Sequence, residues 1–294
     1  NKNSLNNFLN LSIKRKNKLT KISFFSRFIF YPDMLLQSIF CFFLSKFNFS
    51  FPYKVKTFWG KRMKVILPEV ISSELRRFGF IEDSVASFII NYCYKGNTVI
   101  DVGSHFGFFS LLMSEAVGND GNVHCFEPTP STFAILESNV FNIDNIFINQ
   151  KAILDKDSEI KLNDYGITSS AFNSINNSRE KKSIHSLNQS KVSVKAIKLD
   201  DYVLSKKLKP NLIKIDAESS EYKVLKGMHY ILNEIIDLYS EEGIISEPAG
   251  VLSIAGLNKI PSDIIKNKKI VCIVSGGNNN VEKYPEILRK SLEY

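Results

Sequence analysis

Cysteine is scarce and scattered. Cys41, Cys93, Cys125 and Cys272 are the only four in 294 residues, too far apart along the chain for a disulfide framework or a metal cluster. Three of them stand in apolar strand-like or helical surroundings, where a thiol serves as a small buried hydrophobe, and a reducing cytoplasm is the expected compartment. No spacing of His and Cys points to zinc. Acid is missing from the amino-terminal stretch: no Asp or Glu precedes Asp33, whereas Lys2, Lys14, Arg15, Lys16, Lys18, Lys21 and Arg27 all do.

A long hydrophobic run is missing too. The apolar stretch from Met34 to Leu44 falls short of the ~20 residues that a bilayer-crossing helix needs, so a spanning segment is excluded there. Two roles remain for it: a helix lying on an anionic membrane surface, or a docking helix whose apolar face covers the main domain. The run begins late and no small-residue cleavage pattern follows it, which disfavours a secretory signal. The chain opens on Asn1 rather than Met, as a piece of a longer sequence would. Nucleic-acid binding ranks low, because the basic residues lack interleaved aromatics in a groove-like arrangement.

What is present is concentrated in Thr98-Val99-Ile100-Asp101-Val102-Gly103-Ser104-His105-Phe106-Gly107-Phe108-Phe109-Ser110. An apolar β-branched run stops at a carboxylate, two glycines follow four positions apart, and an amphipathic segment begins: a strand, a tight loop and a helix. Such a loop lets backbone approach a ligand and ends on the unpaired N–H groups of a helix start, which suits a nucleotide-like molecule. A dinucleotide fingerprint would place glycine in the middle position, where His105 stands. The next strand, Val123-His124-Cys125-Phe126, ends at Glu127, placed to accept hydrogen bonds from ribose hydroxyls. The plainer alternative has Asp101 capping a helix and Glu127 facing solvent.

Asp101-Val102-Gly103 through Gly107, Phe126-Glu127-Pro128, Ile213-Lys214-Ile215-Asp216-Ala217-Glu218 through Glu221, and Val224-Leu225-Lys226-Gly227 together resemble the FkbM-type S-adenosylmethionine-dependent methyltransferases over about residues 58–232. Ser104-His105 replaces the family's usual Ala-Asn, and Ser219 its usual Gly. The resemblance implies an α/β fold, a Rossmann-like sheet with helices on both faces, here truncated at its last strands and preceded by a helical and hairpin extension. It implies S-adenosyl-L-methionine as cofactor, held by Asp101, Gly103, Ser104, His105, Gly107 and Glu127. It implies O-methylation of a sugar, glycan or other hydroxyl-bearing metabolite. Asp216, Glu218 and Glu221 are the candidate catalytic residues, with Asp216 preferred as the strand-end base and helix capping as its alternative role. His105 is either a base, a cofactor contact or a turn residue. A metal between Asp216 and Glu218 is disfavoured, since alternate residues at a strand end face opposite ways.

Taken in order, the pattern predicts a hairpin over 53–67 turning near Gly60, added as a lid or edge, and a helix over 82–94 closed by Gly96. A helix over 108–117, a strand over 122–126, a helix over 131–141 and one strand over 146–153 follow. Residues 163–190, rich in Asn, Ser and Lys, read as a long mobile loop. Residues 192–197 read as an edge strand, 199–202 as the start of a helix, and 212–216 as a buried strand ending in a carboxylate. Asp101, Glu127 and Asp216 are thus expected at one rim.

Past Leu232 the pattern changes. Residues 235–294, through Ser240-Glu241-Glu242-Gly243, Ser246-Glu247-Pro248-Ala249-Gly250 and Ser275-Gly276-Gly277-Asn278-Asn279, resemble the end of the catalytic domain of pyridoxal-phosphate-dependent threonine dehydratases. That resemblance implies a place for Ser275 near the pyridine nitrogen, but the Schiff-base lysine and phosphate loop belong to a part of that family that has no counterpart here. Two joined gene fragments are expected, with domains at 1–52, 53–234 and 235–294, and 269–274 replacing a lost strand beside 212–215 with 251–257 covering one face. The competing readings are an inactive dehydratase fragment and a non-enzymatic membrane-surface protein.

Overall fold

The computed structural model describes residues 2–21, 26, 32–47, 49–175, 190–217 and 220–225. Its amino-terminal part holds α1 (Lys2–Lys21), α2 (Pro32–Lys46), the hairpin β1 (Phe51–Lys56) and β2 (Arg62–Leu67), α3 (Val70–Phe78) and α4 (Asp83–Tyr92). There follow β3 (Thr98–Val102), α5 (Phe108–Val117), β4 (Asn122–Phe126), α6 (Pro130–Val140), β5 (Ile146–Asn149), β6 (Ala152–Ile153), β7 (Ser158–Asp164) and a 3-10 turn (Ile167–Phe172). The last elements are β8 (Ser190–Ile197), α7 (Leu199–Ser205), β9 (Leu212–Ile215) and α8 (Glu221–Leu225).

Strands β5, β4, β3 and β9 form, in that spatial order, a four-stranded parallel sheet. Both faces are covered, and the strand period of two sorts the residues between them. Val99, Val123 and Cys125 join Leu111, Leu112, Ile135 and Leu136 on one side. Ile100, Val102 and Phe126 join Tyr202 and Val224 on the other. This is the α/β, Rossmann-like sheet expected from the sequence. Among the described residues β9 is an edge; the proposed replacement strand at 269–274 and its cover at 251–257 lie outside them.

The hairpin forms with its turn at Gly60 (φ +95°). It is more than a lid: Val55, Met63 and Val65 are buried in the main core. Asn139 of α6 ties it down, its Nδ2 donating to the carbonyls of Lys64 and Phe106, each at 2.8 Å.

Several boundaries differ from expectation. Helix α4 ends at Tyr92 with Cys93 extended, so Gly96 lies in the following turn and does not cap the helix. The run at 146–153 is two strands in two sheets, because the chain leaves the parallel sheet at Asn149 before β6 pairs with β8. Residues 192–197 belong to the central strand of a three-stranded sheet, β6-β8-β7, rather than to an edge. The first part of the expected loop is regular: β7 pairs along β8 to Asp164, and Asn163 bridges to Ser174 across the 3-10 turn, while residues 176–189 lie outside the described residues.

Helices α1 and α3 carry no expectation from the sequence. Helix α3 starts on Glu69, an unusual cap, whose buried carboxylate accepts from the N–H groups of Ile71 (2.8 Å) and Ser72 (2.6 Å). Helix α1 buries Leu5, Leu9 and Leu19, whereas α2, which holds the apolar run at 34–44 read as either a surface or a docking helix, leaves Leu36, Ile39, Phe40, Phe42 and Phe43 exposed. Among the described residues no helix is long and apolar enough to cross a membrane.

Candidate functional site

The parallel sheet brings the loop after β3, the end of β4 and the end of β9 to one rim. A cavity of about 90 Å³ opens there, lined among others by Gly103, His105, Glu127, Asp216 and Ser220, with the 3-10 turn over it.

The loop is held from beneath. Gly103 N and Ser104 N donate to the Phe126 carbonyl at 2.9 and 3.0 Å, tying the end of β3 to that of β4. Gly103 (φ +79°) is glycine for a reason the spacing did not reveal: a Cβ there would overlap the Asp216 carbonyl. The close approach is backbone to backbone, between β3 and β9. Gly107 (φ +91°) opens α5, and a Cβ there would meet Leu136 Cδ1 at 2.7 Å. Between them His105, a non-glycine residue, is held at φ +49°, and its Nε2 makes a hydrogen bond of 2.8 Å with Ser170 Oγ. Desolvation pushes the His105 imidazole down to about 3, so it is neutral across the physiological range.

Glu127 is buried at the end of β4. Its Oε2 accepts from His105 N at 3.0 Å and its Oε1 from Thr129 N at 2.9 Å. Burial raises the carboxyl to about 7 despite those two donors. It faces the cavity rather than open solvent, so the plainer alternative for this residue fails.

Asp101 is fully buried and is not among the residues that line the cavity. Its Oδ2 accepts from Ser110 Oγ at 2.6 Å, and its Oδ1 faces Lys214 Nζ at 3.3 Å without the alignment of a regular hydrogen bond. Lys214 is desolvated, which lowers an ammonium, but the Asp101 and Asp216 carboxylates outweigh this and its pKa is raised. Lys214 also reaches Asp216 Oδ2 at 3.5 Å, so one buried cation links two of the three strand-end acids.

Of the six residues expected to hold a cofactor, Gly103, His105 and Glu127 line the cavity, while Asp101, Ser104 and Gly107 do not line it but are tied to one another by Ser104 Oγ donating to the Asp101 carbonyl and Gly107 N to the Ser104 carbonyl, each at 2.8 Å. Of the three catalytic candidates, Asp216 lines the cavity with its side chain about half exposed (49%). Glu221 instead accepts from Ala217 N at 2.8 Å and fixes the turn after β9. Glu218 lies outside the described residues, as do Ser219 and Ser275.

Sequence reasoning missed Lys214 and Ser220. Lys214 could have been suspected as a cation in an otherwise apolar strand. Ser220 Oγ is buried, lines the cavity and has no hydrogen-bond partner among the described residues, an arrangement that suits a ligand atom. Among the described residues no three His, Cys, Asp or Glu side chains come together as a metal site.

Comparison with known proteins finds two kinds of similarity. Residues 101–242 match the family model of the methyltransferase FkbM domain, starting later and ending ten residues beyond the expected 58–232. A segment of 62 residues is 50% identical to L-threonine dehydratase biosynthetic IlvA of Mycobacterium bovis, covering 21% of this chain and 14% of that protein. The corresponding protein of Corynebacterium glutamicum is 52% identical over 62 residues, with the same coverage. The chain thus spans about one-seventh of the length of these curated relatives. A solved SAM-dependent O-methyltransferase from Thermotoga maritima aligns with a TM-score of 0.24 and 23% identity over 33% of this chain and 40% of that one.

Proposed function

We propose that residues 101–242 bind S-adenosylmethionine and direct its methyl group to a hydroxyl of a sugar or other small metabolite. The observation that carries this reading is Glu127: a buried carboxylate at the end of the second parallel strand, fixed by two backbone N–H groups and facing a cavity. Fixed in that way, it has lone pairs left for a pair of vicinal hydroxyls.

The residues present fit the cofactor. Glu127 would hold the ribose, the backbone around Gly103 and His105 the amino-acid end, and the partnerless Ser220 Oγ a further polar atom. Ligand pockets usually measure about 300–1,000 Å³, so the cavity as described is narrow, and the 3-10 turn with Ser170 must withdraw from His105 as the ligand enters. The bound cofactor supplies a methyl group on a sulfonium, so the protein needs no nucleophile of its own. Its task is to align the acceptor and remove one proton. Asp216, exposed at the rim, takes that proton, and Glu221 keeps the Asp216 turn in place through Ala217 N.

The test is transfer of a radiolabelled methyl group from S-adenosylmethionine to a panel of hydroxyl-bearing sugars and metabolites. Asp216→Asn should lower the rate by about 10²-fold or more while S-adenosylhomocysteine still binds. Unchanged transfer in that variant would remove Asp216 from the chemistry.

The 62-residue similarity favours a second statement: the chain joins two gene fragments, and the dehydratase-like piece has no activity of its own. It covers 14% of its relatives. Incubation with pyridoxal phosphate should give no imine absorbance band beyond that of free cofactor; a protein-bound band would contradict this.

A further inference from the structure

The strongest feature outside the cavity is a basic cleft on the amino-terminal part. It measures about 590 Å³ and is lined by Arg15, Lys54, Lys56, Arg62, Arg76 and Arg77, with no carboxylate among its lining residues. Among the described residues, none of these six cations has a salt bridge to an acid. Arg77 donates from Nη2 to Ser38 Oγ of α2 at 2.9 Å, and its buried Nε has no partner among the described residues. Residues 1–77 hold 15 Lys and Arg against 3 Asp and Glu, so this part carries more positive charge than the whole chain's net +8.

An apolar surface adjoins the cleft. Helix α2 exposes Leu36, Ile39, Phe40 and Phe43 at positions i, i+3, i+4 and i+7, with Phe42 beside them at 64%, one broad apolar stripe. Beyond the helix Phe47 and Phe49 are also exposed, at 61% and 67%. The stripe runs into the cleft through ring contacts: Phe40 on Phe51 at 5.6 Å, Phe51 on Tyr53 at 6.3 Å, and the Arg76 guanidinium over the Tyr53 ring at 4.7 Å. Among the described residues nothing covers the stripe.

We propose that α2 and this cleft together form a docking surface for an anionic phospholipid bilayer. Phosphate headgroups fit a cleft of arginines and lysines, and phenylalanine side chains beside them fit the acyl boundary, a pairing that defines an interfacial helix. A nucleic acid would match the charge but leave the aliphatic part of the stripe in water. The surface adjoins the cavity through α3, whose Ile71 lines the cavity while Arg76 and Arg77 line the cleft, about 8 Å along the helix. Docking would therefore place the cavity close to the membrane surface. The inference does not depend on what the cavity binds.

Flotation of the full chain with phosphatidylcholine vesicles, and with equimolar phosphatidylcholine and phosphatidylglycerol, tests it. Binding should require phosphatidylglycerol and weaken with salt. The variant Arg62→Ala/Arg76→Ala should lose about fivefold in partitioning per charge removed. Leu36→Ser/Phe43→Ser should weaken partitioning about tenfold or more through lost insertion. Both pairs of positions are at the surface, and unchanged far-ultraviolet circular dichroism would show that the fold survives. Absence of binding to anionic vesicles overturns the proposal. So does binding that both variants retain, and so does salt-sensitive binding of inorganic pyrophosphate or an RNA oligonucleotide without any binding to vesicles.

Discussion

The rim of the parallel sheet and the amino-terminal cleft handle charge in opposite ways. At the rim every described acid has a partner within the chain: Asp101 faces Lys214 and Ser110, Glu127 two backbone N–H groups, and Asp216 Lys214. At the cleft six cations share a cavity without an acid. Internal pairing fixes a geometry that a small ligand then reads, while unpaired charge is left for something outside the chain. The three strand-end acids accordingly divide their labour: Asp101 is a strut, Glu127 faces the cavity, and Asp216 both pairs with Lys214 and lines the cavity.

If that division holds, the largest effect should come from the strut. Lys214→Met leaves the Asp101 carboxylate buried without its cation, and unfolding free energy should fall by about 3–5 kcal/mol in urea titrations. The added change Asp101→Asn should restore part of the loss; independent, additive losses would break the assigned pairing. Next comes Gly103→Ala, where a methyl group must displace the Asp216 backbone at a positive φ, costing about 3 kcal/mol or more. Gly96→Ala has a similar φ of +79° but open space around it, so it should cost only about 1–2 kcal/mol. Equal losses at the two glycines would mean that the approach of β3 to β9 is unimportant. The smallest effect is expected for Ser220→Ala. It should leave stability unchanged and weaken S-adenosylhomocysteine about fivefold, by the loss of one hydrogen bond of roughly 1 kcal/mol.

Much of this rim is legible in the sequence. An apolar run ending in Asp101, Glu127 or Asp216 marks each strand end, and the crossover rule carries all three to one side. The partner of a given acid cannot be read that way. Lys214 pairs with Asp101 only because β9 lies beside β3, a neighbour relation between residues 113 positions apart. Gly103 shows the same limit: glycine at a loop suggests room for a ligand, yet here the room is taken by the Asp216 carbonyl. Helix α3 is hard to read from the sequence because Glu69 is an uncommon cap, and β5 and β6 read as one strand because only the short polar break Asn149-Gln150-Lys151 separates two apolar pieces that serve different sheets. Helix α1 shows apolar residues at Leu5 and Leu9, but charge dominates the segment and hides them.

The central claim, that Glu127 faces a cofactor ribose, is tested most directly by calorimetry of the full chain with S-adenosylhomocysteine between pH 6 and 8. Burial pushes the free carboxyl up to about 7, well above its ordinary value, so the acid titrates within the neutral range. The ionised form is the better acceptor for two hydroxyls, and affinity should therefore rise with pH through about 7 and level off above it. Glu127→Gln should bind about tenfold more weakly at pH 8 and show no such rise. No binding at millimolar ligand, or a pH profile that Glu127→Gln leaves unchanged, would contradict the account.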